Sequence, residues 1–202
     1  VRVMVNPATT TPSDRHWVEV SAADAPGLLA RSAAALAEAG LDVVEAGASV
    51  WGRTRAIQSF LLRSATPPDA ADLQARLTRA LAGRPPSPTA RGAVVAWDDE
   101  SSPWTTVCTI EAPDRHGLLA AFSAAFALAG AQVQSARVTT TTDGIARDVF
   151  EVTNGSGEKL HDGEKAKVVA ALAGEAPTGL RLRLPWARPA LRRTEPAPLP
   201  ET

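Results

Sequence analysis

Two short segments of the sequence have residue types that could bind a carboxylate or an amino group: Asp24-Ala-Pro-Gly-Leu-Leu29 and Asp114-Arg-His-Gly-Leu-Leu119. Amides at the start of a helix lack intrahelical partners and suit a carboxylate. The glycine lets a ligand approach the backbone. The aspartate can accept a hydrogen bond from an amino group or cap the helix. We call residues 24–29 the first turn and residues 114–119 the second turn.

Other residues with chemical potential stand alone. His161-Asp162 imitates the dipeptide of metal-dependent phosphohydrolases, but such sites need further His and Asp ligands. The single cysteine, Cys108, alternates with Val107 and Thr109 in a predicted strand, which favours a small buried residue over a nucleophile. No glycine-rich phosphate loop with a lysine and no Gly-x-Ser-x-Gly motif occurs. We therefore predict no catalytic residues, no metal site, no cofactor and no enzymatic activity.

Composition excludes further classes of partner. The chain has 21 Lys+Arg against 22 Asp+Glu and only nine aromatic residues, Trp 5 and Phe 4, which argues against nucleic-acid binding. The longest charge-free stretch runs from His116 to Ala136, and its helical part, about 13 residues, is shorter than the roughly 20 that cross a membrane. Because Val1–Val5 lacks the pattern of a signal peptide, we expect a cytoplasmic protein with no membrane partner.

An internal repeat positions both turns. Residues 24–60 align without a gap with residues 114–150, and 14 of these 37 positions are identical. The matches include Gly27 with Gly117, Gly40 with Gly130, and Phe60 with Phe150. A constant offset of 90 residues indicates two copies of one unit.

Both copies show the same order of strand-like and helix-like spacing of apolar residues. A strand precedes each turn, a helix with apolar residues at helical spacing follows it, and a glycine ends that helix. Two alternating strands, a second helix and a short last strand follow, the last strands being Gly92–Trp97 and Gly179–Leu184. The pattern predicts an α+β fold of two ferredoxin-like βαββαβ units in tandem. Each unit is a four-stranded antiparallel sheet with two helices on one face.

The predicted domain boundaries follow from this pattern. Residues 15–97 form the first unit and residues 104–185 the second, joined by a linker at 98–103. Residues 1–14 form an N-terminal extension, in which Val1–Val5 resembles a strand without a partner in the repeat. Residues 186–202 form a disordered tail rich in proline and arginine.

These motifs resemble the ACT domain, a small regulatory module that senses amino acids. The second copy, with its ending Gly155-Ser-Gly-Glu-Lys-Leu160, is similar to the paired ACT domains at the carboxyl end of bacterial bifunctional uridylyltransferase/uridylyl-removing enzymes. The resemblance covers roughly residues 15–185 and implies glutamine sensing. It does not extend to the nucleotidyltransferase and hydrolase domains of those enzymes, so their catalytic activity is not implied.

The resemblance also implies which residues bind the ligand. In ACT pairs the turn faces a strand of a neighbouring unit. The predicted ligand-binding residues are Asp114, Arg115, His116, Gly117, Leu118, Leu119, Val133, Gln134, Ser135 and Asp148. A possible second site comprises Asp24, Ala25, Pro26, Gly27, Leu28 and Leu29. We favour the second copy because Pro26 suits a first-turn helix position and can be kept for folding alone, although the family usually has proline where His116 stands.

Two functions from different classes remain open. In the first, the chain is a non-catalytic amino-acid sensor, or a fragment of one, that binds glutamine and signals to a linked or separate partner. In the second, the units have lost their ligand and join subunits through sheet edges, as a structural or interaction module. Exposed sheet edges in each unit also predict a homo-oligomer.

Overall fold

The computed structural model describes residues 1–7, 14–51 and 54–175. Eight strands and four helices lie within these ranges. In chain order they are β1 Arg2–Pro7, β2 Arg15–Ala23, α1 Leu28–Glu38, β3 Asp42–Trp51, β4 Arg55–Arg63, α2 Ala70–Ala82, β5 Val94–Asp98, β6 Thr106–Pro113, α3 Leu118–Ala129, β7 Gln132–Arg137, β8 Ile145–Thr153 and α4 Asp162–Ala173.

Alternating burial along the strands defines one covered face of the sheet. Val18 and Val20 on β2, and Cys108 and Ile110 on β6, are fully buried, while their chain neighbours are partly exposed. The helices pack on this face in the spatial order α2, α1, α3, α4. Because successive side chains on a strand point to opposite faces, a single helical layer accounts for the period-two burial.

The strands form two antiparallel groups of four, in the order β1-β2-β4-β3 and β7-β8-β6-β5. Each group carries two helices, so the predicted α+β fold of two ferredoxin-like units is confirmed. The repeat is also confirmed at the level of elements. Helices α1 and α3, and strands β4 and β8, start 90 residues apart.

The edge strands differ from the prediction. Gly92–Trp97 was expected to complete the first sheet, but β5 pairs with β6 in the second, with Val95 opposite Ile110. The corresponding place in the first sheet is taken by β1, with Val3 opposite Val20. The edge position beside β2 can be filled by a strand that precedes the first unit in the chain, such as β1, or by one that follows it. The periodicity of the strand alone therefore could not assign it.

The predicted boundaries change accordingly. Residues 1–14, expected to be an extension, contribute β1 to the first sheet. Residues 98–103, expected to be a linker between units, run from the last residue of β5 into the β5–β6 connection. The Asp98 carboxylate accepts hydrogen bonds there from the amides of Glu100 and Ser101 at 2.7 and 2.9 Å. The predicted strand Gly179–Leu184 and the predicted disordered tail lie outside the described residues.

The two units join through β3 and β7, making one continuous eight-stranded sheet. Ala46 pairs with Ala136, and Glu45 and Gly47 pair with Arg137 and Ser135. Ala46 and Ala136 are equivalent in the repeat, so a local two-fold axis passes between them. Helices α1 and α3 pack against each other above the same junction.

Helix α3 lies at the centre of the helical layer, and ten of its twelve residues are buried. Its Phe122 and Phe126 rings lie 6.0 and 5.0 Å from the ring of Phe150 on β8. Neighbouring helices cover α3 on both sides, which explains why its sequence is apolar all round. The longest charge-free stretch thus contains a buried helix at the inter-unit junction, followed by the start of β7.

Candidate functional site

Both turns have the same backbone geometry. Gly27 and Gly117 precede α1 and α3 with φ of +71° and +81°, a region that L side chains rarely adopt. Neither helix has a side-chain cap. Among the described residues, no acceptor bonds the amides of Leu29 and Ala30 at the start of α1. Those two amides are therefore available to an anionic group.

The local two-fold axis places each turn against the other unit. A Cβ atom on Gly27 would lie 3.7 Å from the Cβ of Ala127, near the end of α3. In the other half, Nε2 of His116 lies 2.6 Å from the carbonyl oxygen of Ala37, near the end of α1. Ala37 and Ala127 are equivalent in the repeat, so the two turns face the other unit in related positions. We call the region around the second turn, which includes Asp148, the second cleft.

The first turn borders a cavity of about 360 Å³ between the two units. This volume is at the small end of the roughly 300–1,000 Å³ of small-molecule sites. We call it the inter-unit cavity. Its lining comes from the first turn, from strands β3 and β4, and from the α3–β7 region, and comprises Asp24–Ala30, Ala48, Ser49, Ala56, Gln58, Ser123, Ala127, Leu128 and Gly130–Gln134.

The second turn lines no part of this cavity and is held by its own side chains. His116 meets Ala37 as described, and Nη2 of Arg115 donates to the carbonyl of Thr89 at 2.8 Å. The Asp114 carboxylate accepts a hydrogen bond from the Thr140 hydroxyl at 3.1 Å. Asp24 is its counterpart in the first turn. Asp24 is exposed, and its carboxylate accepts no hydrogen bond from the described residues.

The structure divides the residues that the resemblance grouped together. Val133 and Gln134 line the inter-unit cavity with the first turn, whereas they were expected beside the second. Ser135 lies next to them on β7, opposite Gly47 of β3. Asp148 remains with the second cleft, where Asp114 and the amide of Thr139 are close enough to influence its pKa. The cavity thus brings together the first turn, predicted as a possible second site, and Val133 and Gln134, predicted for the site at the second turn.

Two cavity residues, Gln58 and Ser123, were not predicted to bind a ligand. Gln58 is 2% exposed and Ser123 is 3% exposed. Neither Oε1 of Gln58 nor Oγ of Ser123 has a hydrogen-bond partner among the described residues. Ser123 could have been identified from the sequence as a polar residue inside an apolar helical segment. Gln58 could have been identified because it aligns in the repeat with Asp148, which was predicted to bind the ligand.

The second cleft contains a buried carboxyl group. Asp148 is fully buried, and neither of its oxygens meets hydrogen-bond geometry with the described residues. Burial raises the pKa of Asp148 to about 7; the Thr139 amide opposes this rise and the Asp114 charge adds to it. The two clefts therefore differ in chemistry, because Asp148 can ionise whereas the corresponding group in the inter-unit cavity is the neutral amide of Gln58.

Cys108 and His161, the other residues considered for chemistry, lie in a strand and at the start of a helix. Cys108 is fully buried, and burial raises the pKa of its thiol to about 12. His161 precedes α4, and its amide donates to the Glu164 carboxylate at 2.9 Å. The described ranges contain no group of three or more His, Cys, Asp or Glu that could hold a metal ion. They also contain no helix with the length and hydropathy needed to cross a membrane.

The strands and helices define two ferredoxin-like units in tandem. Residues 106–168 match the family model of the ACT domain. This match runs from β6 into α4, and the first unit repeats both the fold and the sequence pattern of the second. The second unit is therefore an ACT domain, and the first unit has the same fold.

Comparison with individual proteins gives a short sequence match. A 52-residue segment is 46% identical to part of the bifunctional uridylyltransferase/uridylyl-removing enzyme of Azospirillum brasilense, covering 26% of this chain and 6% of that enzyme. This chain thus spans only a small fraction of the length of that relative.

Two solved structures are similar at low identity. Aspartate kinase from Synechocystis has a TM-score of 0.44 and 19% identity, covering 79% of this chain and 26% of that one. The ligand-free regulatory subunit of aspartate kinase from Thermus thermophilus has a TM-score of 0.28 and 16% identity, covering 85% and 95%. At these scores neither similarity bears on function. The ACT match itself indicates a regulatory amino-acid-binding module, and the described units include no catalytic domain.

Proposed function

We propose that this chain is a regulatory amino-acid sensor whose ligand binds in the inter-unit cavity, with glutamine as the favoured ligand. The observation that carries the proposal is the cavity itself, which combines free helix amides, an exposed aspartate and buried polar groups. The favoured ligand rests on the resemblance to the ACT pairs of uridylyltransferases. The signal would pass to a linked enzyme, a separate protein or another copy of this chain.

The two charged ends of an amino acid have complementary groups at the first turn. The amides of Leu29 and Ala30 suit the α-carboxylate, because they point out from the positive end of the helix dipole. The Asp24 carboxylate suits the α-ammonium group. Both groups belong to residues that line the cavity.

We place the ligand at the first turn rather than the second on two grounds. Arg115, His116 and Asp114 already contact protein atoms around the second turn. The second cleft also contains the buried Asp148, and a ligand carboxylate close to it would oppose its ionisation. The second turn stays a candidate for a second site, which would require His116 to leave Ala37.

A ligand in the cavity would touch both units at once. The first turn belongs to one unit, and Gln132 and Gln134 belong to the other. A ligand that bridges two units stabilises the arrangement in which both sets of contacts are made, and its differential affinity sets the size of the response. Regulation would therefore act through the relative placement of α1 and α3.

Thermal unfolding of the chain with each of the twenty amino acids tests this proposal. At about 100 times the dissociation constant, a ligand should stabilise the native state by about 2.7 kcal/mol, which raises the midpoint by several degrees. We expect a shift with glutamine, alone or with a few related amino acids. No shift with any amino acid, from a chain that unfolds cooperatively, would favour the structural or interaction module instead.

A pair of equivalent substitutions locates the site. Ala127→Leu adds bulk to the inter-unit cavity, and Ala37→Leu adds the same bulk beside the second turn. We expect Ala127→Leu to weaken binding at least tenfold by isothermal titration calorimetry, and Ala37→Leu to change it less than twofold. The reverse result would assign the ligand to the second cleft.

A further inference from the structure

Two of the groups that line the inter-unit cavity are buried without partners. Oε1 of Gln58 comes from β4 of the first unit, and Oγ of Ser123 comes from α3 of the second. Buried polar atoms are nearly always hydrogen-bonded, because leaving them unpaired costs free energy. Two such atoms in one cavity indicate that polar groups of a ligand complete their bonding.

The charge of the cavity restricts the ligand further. Asp24 is the single ionisable side chain among the residues that line it, and no lysine, arginine or histidine is present there. The nearby guanidinium of Arg31 donates to the carbonyl of Pro26 at 3.0 Å and does not line the cavity. An anionic ligand side chain would therefore enter without a cation to pair with it.

We propose that Gln58 and Ser123 determine specificity by binding the side-chain carboxamide of the ligand. This inference rests on the proposed function, since it concerns the same cavity. A carboxamide has a donor and an acceptor on one edge, so two carboxamides can exchange a pair of hydrogen bonds. The pairing works for either orientation of the Gln58 amide, because exchanging its oxygen and nitrogen leaves the edge complementary. The Ser123 hydroxyl can donate or accept as the ligand requires.

The internal repeat provides a comparison within the same chain. At the positions equivalent to Gln58 and Ser123, the second cleft has Asp148 and Ala33. It therefore lacks both the neutral amide edge and the hydroxyl. The carboxamide-binding pair belongs to the inter-unit cavity alone, although both clefts share the backbone geometry of their turns.

Calorimetric titration of the whole chain with glutamine, glutamate and norleucine tests the inference. Norleucine has nearly the shape of glutamine without the amide. We expect the wild-type chain to bind glutamine at least about tenfold more tightly than either analogue, because sites built to hydrogen-bond a ligand group reject analogues that lack it. Gln58→Leu should lower the ratio of glutamine to norleucine affinity at least tenfold, and Ser123→Ala should lower it by a smaller factor.

The control is Ser32→Ala. Ser32 on α1 also has a fully buried hydroxyl without a partner among the described residues, but it does not line the cavity. We expect its removal to leave the affinity ratio unchanged. Should Gln58→Leu fail to fold, Ser123→Ala and Ser32→Ala still decide the question.

The possible outcomes separate this inference from the proposed function. If the folded wild-type chain binds no amino acid, both are wrong. If it binds amino acids, but neither Gln58→Leu nor Ser123→Ala changes the ratio, the sensor stands and the assigned specificity is wrong. Binding of glutamate as tightly as glutamine to the wild-type chain would likewise overturn the assignment.

Discussion

Gln58 and Asp148 show how one position in a repeat can serve different chemistry. Both side chains are almost completely buried, at 2% and 0% exposure, and both have oxygens without partners. Gln58 stays neutral at every ordinary pH. Asp148 can ionise, and its burial makes that ionisation costly, raising its pKa to about 7. Duplication has therefore given the chain a proton-binding group in one cleft and an amide in the other.

The raised pKa of Asp148 predicts a pH dependence of stability. The folded chain keeps the proton up to about pH 7, whereas the unfolded chain releases it near the ordinary value of 3.8. Stability from this group is thus present below about pH 4 and is lost as the pH rises to 7. The full loss is on the order of 4 kcal/mol.

Urea denaturation between pH 4 and 8 measures this effect. In the Asp148→Asn variant the side chain does not titrate, so its free energy of unfolding should fall less steeply between pH 4 and 7 than that of the wild type. The comparison concerns the slopes, because a buried asparagine has its own unmet hydrogen bonds. Parallel curves for the two proteins would show that Asp148 titrates at an ordinary pKa.

The sequence predicted the backbone of the candidate site better than its side chains. The two glycine turns and their free helix amides follow from local patterns, and the structure has both. The cavity does not follow from local patterns, because its lining comes from both units, whose equivalent helices α1 and α3 start 90 residues apart in the chain. Ser123 in particular could be placed opposite the first turn only after the β3–β7 junction was known.

At the scale of elements, β5 ties the start of the second unit to its core. Trp97 of β5 packs edge-on against Phe126 of α3, with ring centroids 6.4 Å apart. Lys165 of α4 lies over the same indole, 6.0 Å from its centroid. These contacts hold the edge strand on the second unit through both of that unit's helices.

We expect Trp97→Ala to destabilise the chain by about 2–3 kcal/mol, somewhat less than the loss of a fully buried aromatic residue. In native-state hydrogen exchange, protection should fall first in β5 and β6, with less effect on β1 and β2. Trp104→Ala is the matched control, because Trp104 is 79% exposed and should change stability by less than about 0.5 kcal/mol. Loss of protection in β2 and β4 instead would contradict the assignment of β5 to the second unit.

The misassigned strand illustrates what periodicity can and cannot establish. Alternation identified Gly92–Trp97 as a strand, and the structure has β5 at Val94–Asp98. Periodicity carries no information about the partner strand. The segment Val1–Val5 resembled a strand but had no place in a βαββαβ order. It fits a first unit that begins with its own edge strand, β1, paired with β2.

At the scale of the whole molecule, two alanines allow the units to join closely. Ala46 and Ala136 are 2% and 1% exposed and face each other across the two-fold axis, beneath α1 and α3. Small side chains at this point let the helices lie near the sheet. The junction is therefore sensitive to side-chain volume.

Overpacking tests the junction directly. We expect Ala46→Leu and Ala136→Leu each to cost about 1–3 kcal/mol in urea denaturation. Because the two residues pair across β3 and β7, the cost in the double variant should differ from the sum by at least about 0.5 kcal/mol. Strictly additive costs would show that the two side chains do not meet.

The continuous sheet also determines how a response could depend on ligand concentration. In an assembly of identical units, a two-fold axis makes both clefts bind alike, and two equal sites can be coupled. Here the two-fold relation is only approximate, because the units are covalently joined and their clefts have diverged at Gln58 and Asp148. With one ligand in the inter-unit cavity, each chain would saturate hyperbolically. Any steeper dose response would then have to come from the assembly of several chains.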